Sequence, residues 1–261
     1  MTQSHAASEI GIRPCSSVAE YEDCVRIQRA IWGESIAVPV PIFVVVHHTG
    51  GQILGAFDGG QMVGFTQAFT AQTAGRLYLH SHIAAVLPEY RDRGVGRRLK
   101  LFQRQEALKR GIDRIEWTFD PLDLKNAYFN LVRLGAVARR YIPNCYGVTD
   151  SPLHAGLPTD RLVAEWWLNS DRVKSLFADD PRPVAAPAER IEIPAQFAAL
   201  RESDRSVAAG IQSKARHEFQ QWFAKGYVST SVESRDEGTD YLLEPAGAIA
   251  GLKLPDSPNQ S

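Results

Sequence analysis

The segment that most restricts how this chain can fold is Arg91-Asp-Arg-Gly-Val-Gly96. It stands where a strand-like run stopped by Pro88 gives way to a helical pattern that Gly111 closes. Glycines at such a crossing let the backbone turn sharply and bring its N–H groups close to a ligand. The positive end of the helix dipole lies directly behind them, so the corner suits a pyrophosphate. Residues 91–110 hold Arg91, Arg93, Arg97, Arg98, Lys100, Arg104, Lys109 and Arg110 against Asp92 and Glu106, a net of +6 in a chain whose formal charge is -1. A run of this kind is compatible with a solvated helix face or with nucleic-acid binding. Against the second, Val95, Leu99 and Phe102 mark one face as core, and no aromatic residues interleave with the basic ones to stack on bases. An anionic cofactor fits the local charge better than a polyanion.

The neighbouring elements follow from periodicity and punctuation. Ser17-Val-Ala-Glu20 has the form of a capping box, and the helical spacing of Tyr21, Cys24, Val25, Ile31 and Trp32 predicts an amphipathic helix after it. Pro39 and Pro41 predict extended or loop structure before the apolar run 42–46. Runs 52–57 and 61–69, separated by Asp58-Gly59-Gly60, predict an antiparallel hairpin. The next strand, 76–86, alternates Leu77, Leu79, Ser81 and Ile83 on one face with Tyr78, His80 and His82 on the other. A further strand over 114–119 leads to a helix marked by Leu124, Ala127, Tyr128, Leu131 and Leu134, with Gly135 as its stop. Residues 137–141 and 162–168 supply two more strands.

Residues 178–189, with three prolines among small residues, read as a linker. Beyond them a short strand, a helix striped with Ile211, Ala215, Phe219 and Trp222, and a hairpin of 227–232 with 240–244 make a unit of about 60 residues. So small a unit buries little surface alone and is expected to dock on the first domain or on a partner. The division is therefore 10–175 and 190–245, with 1–9 and 251–261 expected to be disordered. At 44% hydrophobic and 23% charged residues, global disorder is excluded. Three scattered cysteines, Cys15, Cys24 and Cys145, no signal-peptide pattern and no apolar run of about 18 residues favour a reducing, cytoplasmic setting without a membrane span.

The stretch Ala85-Val-Leu-Pro-Glu-Tyr-Arg-Asp-Arg-Gly-Val-Gly-Arg-Arg-Leu-Lys100, with Arg91-x-x-Gly94-x-Gly96 at its centre, resembles the signature of the GNAT superfamily of acyl-CoA-dependent N-acyltransferases. The order of elements from about residue 10 to 168 resembles that family as well. The resemblance implies an α+β fold with a splayed, mostly antiparallel mixed sheet flanked by helices, here followed by a small C-terminal αβ extension. It implies that acetyl-CoA or another acyl-CoA is the co-substrate, its pyrophosphate on the backbone of Arg91, Asp92, Arg93, Gly94, Val95 and Gly96 with Arg97 adjacent. Ala84, Ala85 and Val86 would face the pantetheine arm and Asn126 would lie near it, the cofactor occupying the gap between strands 76–86 and 114–119. The acceptor would be a small-molecule or protein amine, without nucleic acid or membrane, and a homodimer is the candidate assembly.

Direct acyl transfer needs a deprotonated amine, because an ammonium has no lone pair. At the strand position where family members often carry a glutamate this chain has His80, and a histidine titrates close to the working pH of a general base. His82 shares its face and is the second candidate catalytic residue. Both histidines are equally compatible with a hydrogen-bonded sheet role, and His-x-His on a strand with a metal site if a third ligand joins them. The family's usual acid, a tyrosine, falls on Leu131. Two readings thus stand beside the acyltransferase: a non-catalytic acyl-CoA-binding or regulatory module, and a His-x-His metalloenzyme. Asp120 is read as either facing substrate or forming a turn, and Asp160 and Arg161 as turn and ion-pair residues.

Overall fold

The computed structural model describes residues 10–147, 156–177, 189–249 and 251–252. The segments 1–9 and 251–261 expected to be disordered and the linker 178–189 lie outside the described residues, except for 251–252 and for Glu189, which opens a strand. Two compact units divide the chain, Met1–Ile115 and Glu116–Ser261.

The first unit is built on an antiparallel meander of Gly11–Pro14 (β1), Gln52–Asp58 (β2), Gln61–Thr73 (β3) and Arg76–Val86 (β4), in the order β1-β2-β3-β4. Asp58 and Gln61 close the β2–β3 hairpin, and Gly59 and Gly60 take φ of 54° and 98°, as a tight turn between right-twisted strands requires. The helix Val18–Trp32 (α1) opens on the expected capping box: the Ser17 hydroxyl accepts from Glu20 N–H at 3.3 Å and the Glu20 carboxylate accepts from Ser17 N–H at 3.0 Å. The extended structure expected before the apolar run ends at Pro39, and a helix, Val40–His48 (α2), begins ahead of the run and takes in Pro41. Pro41 stands in its first turn, where a backbone N–H has no intrahelical partner and its loss costs nothing. The helix Val95–Lys109 (α3) follows β4.

Two apolar clusters line the two faces of this meander. Tyr21, Cys24, Val25 and Ile27 of α1 and Phe43 and Val46 of α2 pack with Phe65, Ile83 and Ala85. Val95 and Leu99 of α3 pack with Leu54, Ala56 and Val63, and Val86 leans on them. Strict alternation in β4 fails at one point. Gln67 of β3 pairs with Ile83 and the next residue, Ala68, with Ser81, so His82 is an extra residue with no partner across the ladder. A one-residue step reverses the facing of everything beyond it. Ser81 consequently meets α3, where Lys100 donates to it, whereas Ile83 belongs to the α1–α2 cluster.

From the last residues of the first unit onward, the strands Arg114–Phe119 (β5), Val137–Ile142 (β6), Arg161–Trp167 (β7), Glu189–Pro194 (β8), Tyr227–Arg235 (β9) and Gly238–Pro245 (β10) run in the order β5-β7-β6-β9-β10-β8. The helix after β5 is a single α-turn, Leu124–Tyr128 (α4), continued by a π-helical turn, Phe129–Arg133. Short helices Asp171–Ser175 (α5) and Phe197–Ser203 (α6) precede the long Arg205–Ala224 (α7), which buries Ala208, Gln212, Ala215 and Phe219. The fold is the α+β class with a mixed, mostly antiparallel sheet flanked by helices that the sequence predicts.

The run 156–161 finds its role here. Asp160 is buried; its carboxylate accepts from Tyr141 Oη at 2.6 Å, Asn144 N–H at 2.9 Å, and Arg216 Nε and Nη2 at 2.8 and 2.9 Å. Gln212 donates to the Pro158 carbonyl at 2.7 Å, and Arg205 donates to that of Gly156. Removing one member of a buried ion pair leaves the other charge uncompensated. Arg216→Met is therefore expected to lower stability by about 2 to 3 kcal/mol, near the low end because its side chain is 31% exposed. Urea unfolding measures this. Asp120 serves the turn after β5, accepting from Leu122 N–H at 2.8 Å. Trp166 is core, its indole donating to the Leu134 carbonyl at 2.7 Å. All three cysteines are free thiols, Cys15 and Cys24 buried. Among the described residues no helix is long and apolar enough to cross a membrane.

Candidate active site

The corner between β4 and α3 has the geometry of an anion site. After a short 3-10 turn, Pro88–Tyr90, the backbone passes through left-handed conformations at Asp92 (φ 58°) and Gly94 (φ 76°) and enters α3 at Val95. Asp92 is a non-glycine residue held where side chains are disfavoured, a condition that recurs at ligand sites. Gly94 is the N-cap and, being glycine, brings no side chain of its own to cap the first turn of α3.

Gly96 needs a different explanation, since its φ is not positive. A β-carbon there would touch nothing closer than Val86 Cγ2 at 3.9 Å, an ordinary contact. Packing inside the protein therefore does not demand glycine at this position. What the missing side chain leaves open is the space in front of the helix.

Several of the charges are committed to the protein itself. Arg91 Nε donates to the Val86 carbonyl at 3.2 Å, the Arg93 guanidinium lies 5.3 Å from the Tyr90 ring centroid, and Arg98 donates to the Ile10 carbonyl at 2.5 Å. Arg110 donates to the Gly50 carbonyl, and Lys109 pairs with Glu106. The +6 count also includes a group that is not a surface charge. Lys100 is 4% exposed, and burial pulls its pKa down to about 7. Its ammonium donates to Ser81 Oγ at 2.8 Å and Gln103 Oε1 at 3.1 Å. The charge count alone does not separate it from its neighbours, since only the contact between α3 and the sheet buries it.

Because the folded state favours the neutral amine, the unfolded chain binds the Lys100 proton more tightly. Stability should therefore rise with pH between about 7 and 10.5, the folded and ordinary values. Lys100→Met should remove that rise, as thermal unfolding across this range would show.

His80 and His82 lie together on β4, ring centroids 6.4 Å apart. Phe69 meets His82 edge-on at 5.8 Å and packs on the α1–α2 cluster, which places the bulged histidine on that face. His82 keeps an open edge to solvent, yet the protein packed around its ring disfavours the imidazolium and pulls its pKa below the ordinary histidine value. Among the described residues no three side chains of His, Cys, Asp or Glu come together as metal ligands. Gln67, which sequence reasoning passes over, is fully buried with neither amide atom hydrogen-bonded among the described residues.

Ala84, Ala85 and Val86 pair with Thr66, Phe65 and Gly64 of β3. In the second unit Asn126 is exposed, its N–H held by Asp123 at 3.1 Å and its carbonyl oxygen accepting from Asn130 at 3.2 Å. Leu131, at the position of the family's usual tyrosine acid, is fully buried.

Comparison with known proteins bears on the family and the fold. The sequence model described as the Acetyltransferase (GNAT) family matches residues 16–129, a segment that contains α1, the meander from β2 to β4 and the whole glycine corner. No curated protein matches the chain. Among solved structures, the smu.2055 protein of Streptococcus mutans UA159 aligns with a TM-score of 0.52 at 16% identity, over 61% of this chain and 99% of that one, and shares the fold. The ribosomal-protein-S18-alanine N-acetyltransferase of Escherichia coli aligns at 0.48 and 17% identity, over 60% and 92%. Arabidopsis thaliana Naa50, in complex with the bisubstrate analogue CoA-Ac-MVNAL, aligns at 0.48 and 12%, over 60% and 97%. The match to the GNAT family of acetyltransferases thus lies on residues 16–129, which hold both the glycine corner and the paired histidines.

Proposed function

We propose that this chain transfers an acetyl or other short acyl group from its coenzyme A thioester to a primary amine on a small molecule or a protein. The observation that carries the reading is the corner at Gly96: a left-handed glycine N-cap that brings no side-chain cap to the helix start, followed two residues later by a glycine that packing inside the protein does not demand. Acyl transfer is the chemistry of the family whose model matches residues 16–129.

Bound acyl-CoA supplies an electrophilic carbonyl and a thiolate leaving group. The chain's own part begins with binding: the amides of residues 91–96 take the pyrophosphate, Arg97 stands beside them, and Ala84, Ala85 and Val86 take the pantetheine arm. His80, with His82 beside it, accepts a proton from the acceptor nitrogen as the new C–N bond forms. A depressed pKa keeps His82 neutral, and hence able to accept, at physiological pH. No acid is required at Leu131, because a thiolate departs without prior protonation.

Calorimetry with acetyl-CoA and longer acyl-CoAs, coupled to thiol release across a panel of amines, tests the proposal. Saturable binding with amine-dependent release of coenzyme A is the expected result. No binding up to millimolar concentration would sink it, and binding without turnover on any amine would favour a regulatory acyl-CoA sensor.

A further inference from the structure

The bulge in β4 rests on a buried set of polar side chains that no surface role accounts for. Lys100 Nζ donates to Ser81 Oγ, the residue before the extra His82. On the other side of His82, the Ile83 carbonyl accepts from Thr66 Oγ1 at 3.0 Å. Gln103 joins the two anchors: its Nε2 donates to Thr66 Oγ1 at 3.4 Å, while its Oε1 accepts from Lys100 at 3.1 Å and from Ser81 at 3.4 Å. All four side chains are buried, Thr66 and Gln103 completely.

A bulge frees backbone groups from the ladder and gives the strand local slack. Here the slack is taken up on both sides of a single residue, by Lys100 of α3 on one side and by Thr66 of β3, tied to α3 through Gln103, on the other; the N-terminus of that helix forms the glycine corner. The arrangement is not the most stable way to fill the space. A buried lysine carries a desolvation penalty, and a methionine of similar length would occupy the same volume without one. A group that lowers stability at this point, one turn along α3 from Gly96 and bonded to the strand residue between His80 and His82, has a use other than holding the fold together.

We infer that Lys100 is a positioning residue: acting through Ser81, with Gln103 and Thr66, it fixes the β4 bulge so that His82 and the backbone of Ala84, Ala85 and Val86 are held in one geometry relative to the start of α3. The cofactor part of this inference rests on the acyltransferase reading; the fixing of the strand does not.

Lys100→Met, Ser81→Ala and the double variant separate these roles. Amide hydrogen exchange read by mass spectrometry should speed up at residues 81–84 in Lys100→Met, while the β2–β3 hairpin keeps its protection and the protein unfolds no earlier than wild type. Acyl-CoA affinity measured by calorimetry should fall about tenfold, equivalent to ~1.4 kcal/mol. The double variant should cost no more than Lys100→Met alone, because both changes cut the same link. Loss of affinity without loss of stability is a pattern that a merely structural lysine does not produce. Unchanged exchange at 81–84 would overturn the inference whether or not acyl-CoA binds. Wild-type binding left intact by Lys100→Met would overturn its cofactor part, whereas absence of binding in the wild type would strike the acyltransferase reading instead. If Lys100→Met fails to fold, Lys100→Gln with the same two readouts replaces it.

Discussion

His80→Ala is expected to lower kcat for acyl transfer by about 100- to 10,000-fold, the usual contribution of a positioned general base, while acyl-CoA affinity stays near the wild-type value. The ring sits on β4 beside His82, not in the glycine corner, so binding and chemistry should separate. The pH profile then tells the two histidines apart. Because burial depresses the His82 pKa, a reaction that depends on neutral His82 keeps its rate to lower pH than an ordinary histidine allows. If the acid limb of kcat/KM disappears in His82→Ala and persists in His80→Ala, the proton goes to His82; the reverse pattern assigns it to His80. The same shift has a stability counterpart of known sign. The unfolded chain takes up the His82 proton first, so acidification through the histidine range destabilises the fold, and His82→Ala should lessen that loss. A His80/His82 double variant with wild-type turnover would remove base catalysis by this strand altogether.

The second large effect is expected at Gly96. Gly96→Val should abolish acyl-CoA binding, with the dissociation constant rising at least about 100-fold, or ~2.7 kcal/mol, while the unfolding midpoint stays level. The two halves of the expectation have separate causes. Inside the protein a β-carbon meets only Val86 Cγ2 at 3.9 Å, and replacing a helical glycine reduces the entropy lost on folding. Outside it, the added carbons hold a phosphate away from the first-turn amides, and each charge-assisted hydrogen bond forfeited is worth about 1.5 to 3 kcal/mol. Thermal unfolding beside calorimetry measures both. Gly94→Ala should behave in the opposite way, losing stability because φ is 76° although the space around it is open. Intact acyl-CoA affinity in Gly96→Val would mean that the ligand does not approach this corner.

The features legible in the residues and those that are not divide along a physical line. Features made by neighbours in sequence are legible: the Ser17–Glu20 capping box, the Asp58-Gly59-Gly60 hairpin and the glycine corner each specify a backbone conformation within a few residues. Features decided by a third element are not. Pro39 and Pro41 read equally as loop or as the start of α2, and only packing of Phe43 and Val46 on α1 settles the matter. The bulge at His82 leaves no mark in the alternation of β4, because the register belongs to the pair of strands. Strict alternation thus groups Ile83 with Ser81, whereas the structure places them on opposite faces. Lys100 counts among the surface charges of its helix because a lysine looks the same in either setting. Its burial is a property of the α3–sheet contact, and the residue that most resembles background touches the strand of the candidate site.

The pairing of Asp160 with Arg216 bears on how the chain can be divided in the laboratory. A cut at the proline-rich stretch before β8 looks natural, since it would release the recognisable domain from the C-terminal strands and helices. A chain ending at Phe177, however, would keep the Asp160 carboxylate and lose its guanidinium, keep the carbonyls of Gly156 and Pro158 and lose their donors, and leave β6 without β9 as a neighbour. Such a fragment exposes a raw strand edge and an uncompensated acid together, the conditions under which chains aggregate. Domain boundaries here are better drawn along hydrogen bonds than along prolines, and expression trials of the isolated N-terminal part should be read with that in mind.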